Sequence, residues 1–406
     1  MVEPGGSDEA AEYAYLQTPG AIRARALSVL EAARRGELEH FRLDERQLPA
    51  VAARVIEVTQ RAYPDVRAIP YHGRYRHFDA GDVPRLQAFL QSLAALSPED
   101  RLRACTELVV TSVLLDAGAG PSWSYGEPDG RSYARSEGLA VASYHLFMSG
   151  ALSSDGTPKA DAAGLLNFDG AKLAKAFRVS PENPLTGLEG RARLLASLGQ
   201  VVAMTPAYFD ASSPRLGDLG VLLARSAHGG KLAASAILKA VLEALGPIWP
   251  GREALAGKPL GDVWRHGRFG LVPFHKLSQW LSYSLLEPLE AAGVVVTDLD
   301  ELTGLPEYRN GGLFLDSGVL QLVDAGARDA EHTVASELVI EWRALTVALL
   351  DRVAELVRAQ LGLSAEELPL ARVLQGGTWS AGRAIAAELR EGGGPPLKIV
   401  SDGTVF

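Results

Sequence analysis

In Leu271-Val-Pro-Phe-His-Lys-Leu-Ser-Gln-Trp280-Leu-Ser-Tyr-Ser-Leu-Leu-Glu-Pro-Leu289 the apolar residues Leu277, Leu281 and Leu285 recur at the spacing that places one stripe along a helix. Lys276, Gln279, Trp280 and Tyr283 lie around that stripe, so the segment predicts a helix over 274–292 carrying polar and aromatic groups near its start. The same periodicity recurs outward at 47–62, 83–95, 135–148, 160–177, 187–200, 215–226, 231–245, 334–362 and 379–391. Two further helices announce their beginnings: Thr18-Pro19 opens one that Gly36 closes, and Ser97-Pro98-Glu99-Asp100 opens another that runs to Leu115. Extended candidates are few. They are Val294–Val296, Gly312–Leu322, and a closing hairpin from Leu397–Val400 through Asp402-Gly403 into Thr404–Phe406. The expected fold is mainly α with minor β: a flexible segment at 1–17 and a single large helical catalytic domain over 18–406, with no internal repeat.

Composition narrows the function classes. Hydrophobic residues at 47% and charged residues at 22% provide for a sizeable core. A net charge of −9 disfavours nucleic-acid binding, which needs clustered basic surface, and leaves a small anionic ligand open. Cys105, the only cysteine, sits in an apolar run and reads as a small core residue, so no disulfide within the chain is expected. No window approaches a membrane-spanning length, and the acidic, glycine-rich start lacks the pattern of a signal peptide; a cytoplasmic protein is expected. The eight histidines show no HExxH or paired ligand spacing, so neither a metal nor another cofactor is expected.

Four places combine residue types suited to chemistry. Asp116 ends an apolar run before a glycine-rich loop bearing Trp123 and Tyr125; it reads either as a helix-terminal hydrogen-bond partner or as an acid, and the aromatics either stack on a planar ligand or plug the loop. Arg135 and Glu137 stand at the start of a helix, as an anion-binding turn or as a solvated ion pair. Lys276 follows Phe274 and His275 at the head of the 274–292 segment, where a lysine ordinarily faces solvent. Glu307-Tyr308-Arg309 lies between Pro306 and Asn310-Gly-Gly312, turn formers that hold the backbone; the pair is either a structural ion pair or a carboxylate for a developing cation beside a guanidinium for an anion. Gly377-Thr-Trp-Ser-Ala-Gly382-Arg383 imitates a phosphate loop but lacks its lysine and hydroxyl, and reads as a glycine turn into a helix.

Together, SVLLDAGAGPSWSY from Ser112, RSEGLAVAS from Arg135, NPLTGLEGR from Asn183, IWPGR from Ile248, LVPFHKLSQWLSYSL from Leu271, LTGLPEYRNGGL from Leu302, IEWRALTV from Ile340 and the terminal PPLKIVSDGTVF resemble the uracil catabolism protein 4 family over nearly the whole chain. That resemblance implies a place in a breakdown of uracil in which the base becomes a nucleotide and is opened to a ribosyl urea. A second pattern is similar to the queuosine nucleotide salvage hydrolases: Phe-x-Lys276 on a helix, Asp298-Leu-Asp-Glu-Leu-Thr303, Glu307-Tyr308-Arg309, and Glu341-x-Arg343 before a helix. Those enzymes cleave N-glycosidic bonds on a helical fold akin to DNA glycosylases. The similarity implies Glu307 in place of their catalytic aspartate, Lys276 and Arg309 at their lysine and arginine, and Asn310-Gly-Gly312 where they have Val-Pro-Gln.

The two resemblances imply an N-glycosidic hydrolase acting on ribosyl urea 5′-phosphate. Glu307 and Lys276 would act at the reacting bond with Asp116 or Glu137 as proton donor, and Trp123, Tyr125, Arg135, His275, Tyr308, Arg309 and Arg343 would bind substrate. The alternatives are an amidohydrolase or deaminase on an opened pyrimidine nucleotide, and a non-catalytic nucleotide-binding protein of the pathway. The expected partner is a phosphorylated ribosyl compound, with a homo-oligomer or association with other uracil-catabolic enzymes left open.

Overall fold

A computed structural model describes residues 5–120, 122–249 and 253–400, with 5–7 by backbone alone. Helix takes 58% of the described residues and strand 11%, so the class is mainly α with minor β. Among the described residues every sheet has two strands. Such ribbons are marginal alone, and here they serve to pin helix ends. The chain groups into two compact units: one of Met1–His72, Gly251–Gln279 and Asp298–Ser401, the other of Gly73–Pro250, Trp280–Thr297 and Asp402–Phe406.

The first unit is built on Glu337–Leu361, a helix apolar on nearly every side and buried from Leu338 through Leu350. A helix of that composition must be wrapped. Pro19–Arg34, Leu48–Ala62 and Tyr308–Asp316 pack against it. Each fully buried leucine, such as Leu345 or Leu349, contributes about 1.5–3 kcal/mol. Trp342 lies on Gly311, whose absent side chain makes room: a Cβ there would stand 2.7 Å from the indole, and the indole N–H donates to the Gly311 carbonyl at 3.0 Å. The 1–17 segment, expected to be flexible, is helical over Gly5–Leu16, and Leu16 is buried with Leu260, Val263 and Leu271.

The second unit centres on Pro98–Leu114, capped as its sequence predicts by Ser97, whose hydroxyl accepts from the Asp100 N–H at 3.1 Å. Arg135–Met148, Leu188–Met204 and Asp218–Arg225 pack on it. Cys105 is buried in that helix.

Several boundaries differ from expectation for local reasons. The 160–177 segment is two short helices, Ala162–Leu166, which ends at Asn167, and Gly170–Ala176, which Asp169 caps. Strand Lys231–Ala233 precedes helix Ala234–Leu245 and pairs in parallel with Val295–Thr297. Gly312–Leu322 is not extended. Glu307 caps a helix over Tyr308–Asp316, and only Leu320–Leu322 forms a strand, antiparallel to Phe41–Leu43. Lys398–Val400 pairs in parallel with Glu331–Thr333, and the expected closing turn lies outside the described residues. No helix among the described residues is long and apolar enough to cross a membrane.

Candidate functional site

In the first unit, strand Gly270–Pro273 pairs with Val263–His266 and delivers the chain to the helix Lys276–Ala291. His275 turns the corner in the left-handed region, φ 46°. Asp262 organises this corner. Its carbonyl accepts from the N–H groups of Phe274 and His275 at 2.9 and 3.3 Å, and its carboxylate from that of Lys276 at 3.0 Å, the role of a helix cap. The same carboxylate takes both ends of the Arg343 guanidinium at 2.8 and 2.7 Å and the Trp264 indole at 2.7 Å. Burial works to raise the Asp262 carboxyl, but the Arg343 charge and these donors outweigh it and hold it well below the usual carboxylate range.

Gln279, one turn on, ties the head of this helix to the next segment. Its carbonyl oxygen accepts from the Thr303 N–H at 2.8 Å, and its amide donates to the Thr303 hydroxyl at 2.5 Å. Gly304 packs so closely that a Cβ would stand 2.5 Å from Leu350. Asn310 donates to the Leu305 carbonyl at 3.1 Å. The loop Leu302–Pro306 is therefore held along its length, and it ends at Glu307.

Glu307 is half-buried and caps Tyr308–Asp316: one carboxylate oxygen accepts from the Arg309 N–H and the other from the Asn310 N–H, both at 2.6 Å. Burial pushes its carboxyl above the usual value; the two N–H groups and the charges of Lys276 and Arg309 oppose that. Lys276 is likewise half-buried and acts electrostatically on Glu307. The structure thus brings Lys276 and Glu307 together on rigidly tied backbone. Two backbone N–H groups fix the carboxylate, and each of its oxygens retains a further lone pair for water or a developing cation.

The other candidates of this unit support the corner instead. Arg309 is buried and donates to the Gly393 carbonyl at 2.6 Å, with Tyr308 5.0 Å from its guanidinium carbon. Arg343 is buried in the Asp262 pair and stacks over Phe274 at 4.1 Å. His275 is buried, its Nε2 2.9 Å from the Leu16 carbonyl, and burial pushes its pKa down, so it anchors the first helix as a neutral ring. The 377–383 glycines are no turn: Leu374–Thr378 is a π-helical turn continuous with Trp379–Leu389, and a Cβ on Gly382 would lie 2.2 Å from the Arg309 carbonyl. Glu39, His40 and Glu337 place ligand-type atoms within 4.8 Å of one another, and Glu337 already accepts from the Gly267 N–H at 2.7 Å.

In the second unit Asp116 forms its own cluster. It pairs with Arg74 at 2.9 Å and accepts from the Ser136 hydroxyl at 2.8 and 2.7 Å. A guanidinium and a hydroxyl thus both donate to it. Arg191, fully buried, binds the carbonyls of Leu115, Ala117 and Gly118 at 2.5, 2.9 and 2.7 Å and so shapes the glycine-rich loop. Trp123 and Tyr125 plug that loop. Trp123 is buried against Phe177 and donates to its carbonyl at 3.1 Å, and Tyr125 stacks on His145 at 5.8 Å beneath Arg178. Glu137 is half-buried with its charge acting on Arg74, and Arg135 is exposed at φ 55°. Sequence reasoning missed Asp262, Gln279, Thr303 and Arg74. Asp262 carries little local signal because the Lys276 N–H that it caps and the Arg343 guanidinium that it pairs with lie 14 and 81 positions away.

A family model described as "Protein of unknown function (DUF1688)" matches residues 15–406. This chain belongs to the DUF1688 family. Among the family's relatives, "Protein urg3" of Schizosaccharomyces pombe is 42% identical over 95% of this chain and 96% of its own length. "Uracil catabolism protein 4" of Lachancea kluyveri is 37% identical over 91% of this chain and 93% of its own. The DUF1688 match and both relatives span both units, so Asp262, Lys276 and Glu307 all fall within the matched region.

Proposed function

We propose that this DUF1688 member is a hydrolase of uracil catabolism that cleaves the N-glycosidic bond of ribosyl urea 5′-phosphate, giving urea and ribose 5-phosphate. The relative named for uracil catabolism, collinear with this chain over 91% of its length, supports the pathway. The observation that carries the chemistry is Glu307: a carboxylate fixed by two N–H groups, raised by burial and facing the charge of Lys276.

Breaking the C1′–N bond develops oxocarbenium charge on the sugar. Glu307 offers that charge a preoriented anion, and its raised pKa suits it to take a proton from the attacking water. The water oxygen bonds to C1′, the bonding pair leaves with the ureide nitrogen, and the water's proton ends on that nitrogen. Lys276 keeps enough of the carboxylate ionised and supplies positive charge for an anionic substituent.

The test is to incubate the protein with ribosyl urea 5′-phosphate, with UMP as control, and follow products by mass spectrometry. Urea with ribose 5-phosphate is the expected result. Ammonia released with the sugar–nitrogen bond intact would transfer the protein to amide hydrolysis, and binding without conversion would make it a non-catalytic pathway protein.

A further inference from the structure

Arg74 lies at 0% exposure in the second unit, and most of its hydrogen-bonding edge is accounted for in detail. Its Nε donates to the Ser112 hydroxyl at 2.7 Å; Ser112 and Ser143 are 2.6 Å apart, and Ser143 donates to the Ala140 carbonyl at 3.0 Å, so that side ends on a carbonyl. Nη1 meets Asp116 at 2.9 Å and the Ser136 hydroxyl at 3.2 Å. Nη2, with two N–H groups, has no acceptor. The indole N–H of Trp280 has none either, although Trp280 is only 6% exposed and its ring centre stands 5.5 Å from the Arg74 guanidinium carbon. Three buried N–H donors without acceptors, on two side chains in contact, are costly at about 1–3 kcal/mol each.

What they would take follows from what is already occupied. Carboxylates and phosphates are held by two adjacent guanidinium nitrogens acting as a fork. Here both forks are broken, since Nε belongs to Ser112 and Nη1 to Asp116. The charge of Arg74 is also already balanced by Asp116, and Glu137 adds a second negative charge acting on it. The buried Arg191 guanidinium acts on the same Asp116 and on Arg74, so two positive groups already face two negative ones and no cation is left over to balance a further anion. The acceptor that suits such donors is a neutral carbonyl oxygen, which has two lone pairs and brings no charge.

We infer that Arg74 and Trp280 form a binding site for the carbonyl of a neutral amide or ureide. This site stands on the second unit alone and does not depend on the reading of Glu307.

The test titrates N-methylurea into the intact protein labelled with 15N at tryptophan, with acetate and inorganic phosphate at matched ionic strength as the comparison. The chain has six tryptophans, so the indole N–H signal missing from Trp280→Phe assigns Trp280, and the other five report that the fold is retained. The expected result is a saturable downfield shift of the Trp280 indole proton with N-methylurea and none with either anion. Affinity should weaken about three- to tenfold in Trp280→Phe, the range for one lost hydrogen bond, as read by calorimetry. Arg74→Lys, examined if its other indole signals are unchanged, should abolish the shift. A shift with acetate or phosphate but not N-methylurea would overturn the inference in favour of an anion site. No shift with any of the three would show that the donors bind no such group.

Discussion

Two carboxylates of the first unit have opposite electrostatic fates, and each yields a test. Glu307 is raised by burial, so its ionised, active form should be lost as pH falls through a value above the ordinary 4.5 of a glutamate. The acid limb of kcat/KM is expected there. Lys276 favours the ionised form, so Lys276→Met should move that limb to higher pH; a limb that stays in place would remove Lys276 from the site. Asp262 is depressed instead, so the stability it provides is present above the ordinary aspartate value of 3.8 and is lost as pH falls from there toward its lower folded pKa. Asp262→Asn leaves the buried Arg343 charge without its counterion, and a loss of about 3–5 kcal/mol is expected in chemical denaturation. A loss below about 1 kcal/mol would mean that the pair does not hold the corner.

At the scale of elements, the site depends on how closely the Trp379–Leu389 helix approaches the start of Tyr308–Asp316. Gly382 makes that approach, with its missing Cβ 2.2 Å from the Arg309 carbonyl. Ala is the better helix former by about 1 kcal/mol, yet the clash should win, and Gly382→Ala is expected to destabilise by about 1–3 kcal/mol in thermal unfolding while lowering activity through Glu307. A stabilised variant would contradict the packing. Helix starts with side-chain caps, such as Thr18 and Ser97, were legible because a cap and its helix are neighbours in sequence. The cap at Glu307 was not: Gly311 and Gly312 looked like strand or turn residues, and only Trp342 and the Arg309 carbonyl reveal that the glycines of this region serve close helix packing. Lys276 and Glu307 stand out in the sequence as residue types suited to chemistry, whereas the Asp262–Arg343 and Gln279–Thr303 ties beside them are long-range and leave no local pattern.

At the scale of the whole molecule, the DUF1688 match runs from residue 15 to 406, and the pattern of helices agrees with the periodicity over most of that span. The charge of −9 disfavours a polyanionic partner, and no shift of duplex DNA is expected in a gel assay at physiological salt; a shift that weakens steeply with added salt would contradict that. Trp123 and Tyr125 show what composition alone leaves open: large aromatics in a glycine-rich loop read as a ligand platform or as a plug, and in the structure Trp123 stacks on Phe177 and Tyr125 on His145. The most direct test of the central role given to Glu307 is single-turnover cleavage of ribosyl urea 5′-phosphate by the native chain and by Glu307→Gln, with folding and substrate affinity measured on the same samples. The expected result is a folded variant that binds substrate normally and turns over about a hundredfold or more slowly. Unchanged turnover would contradict it.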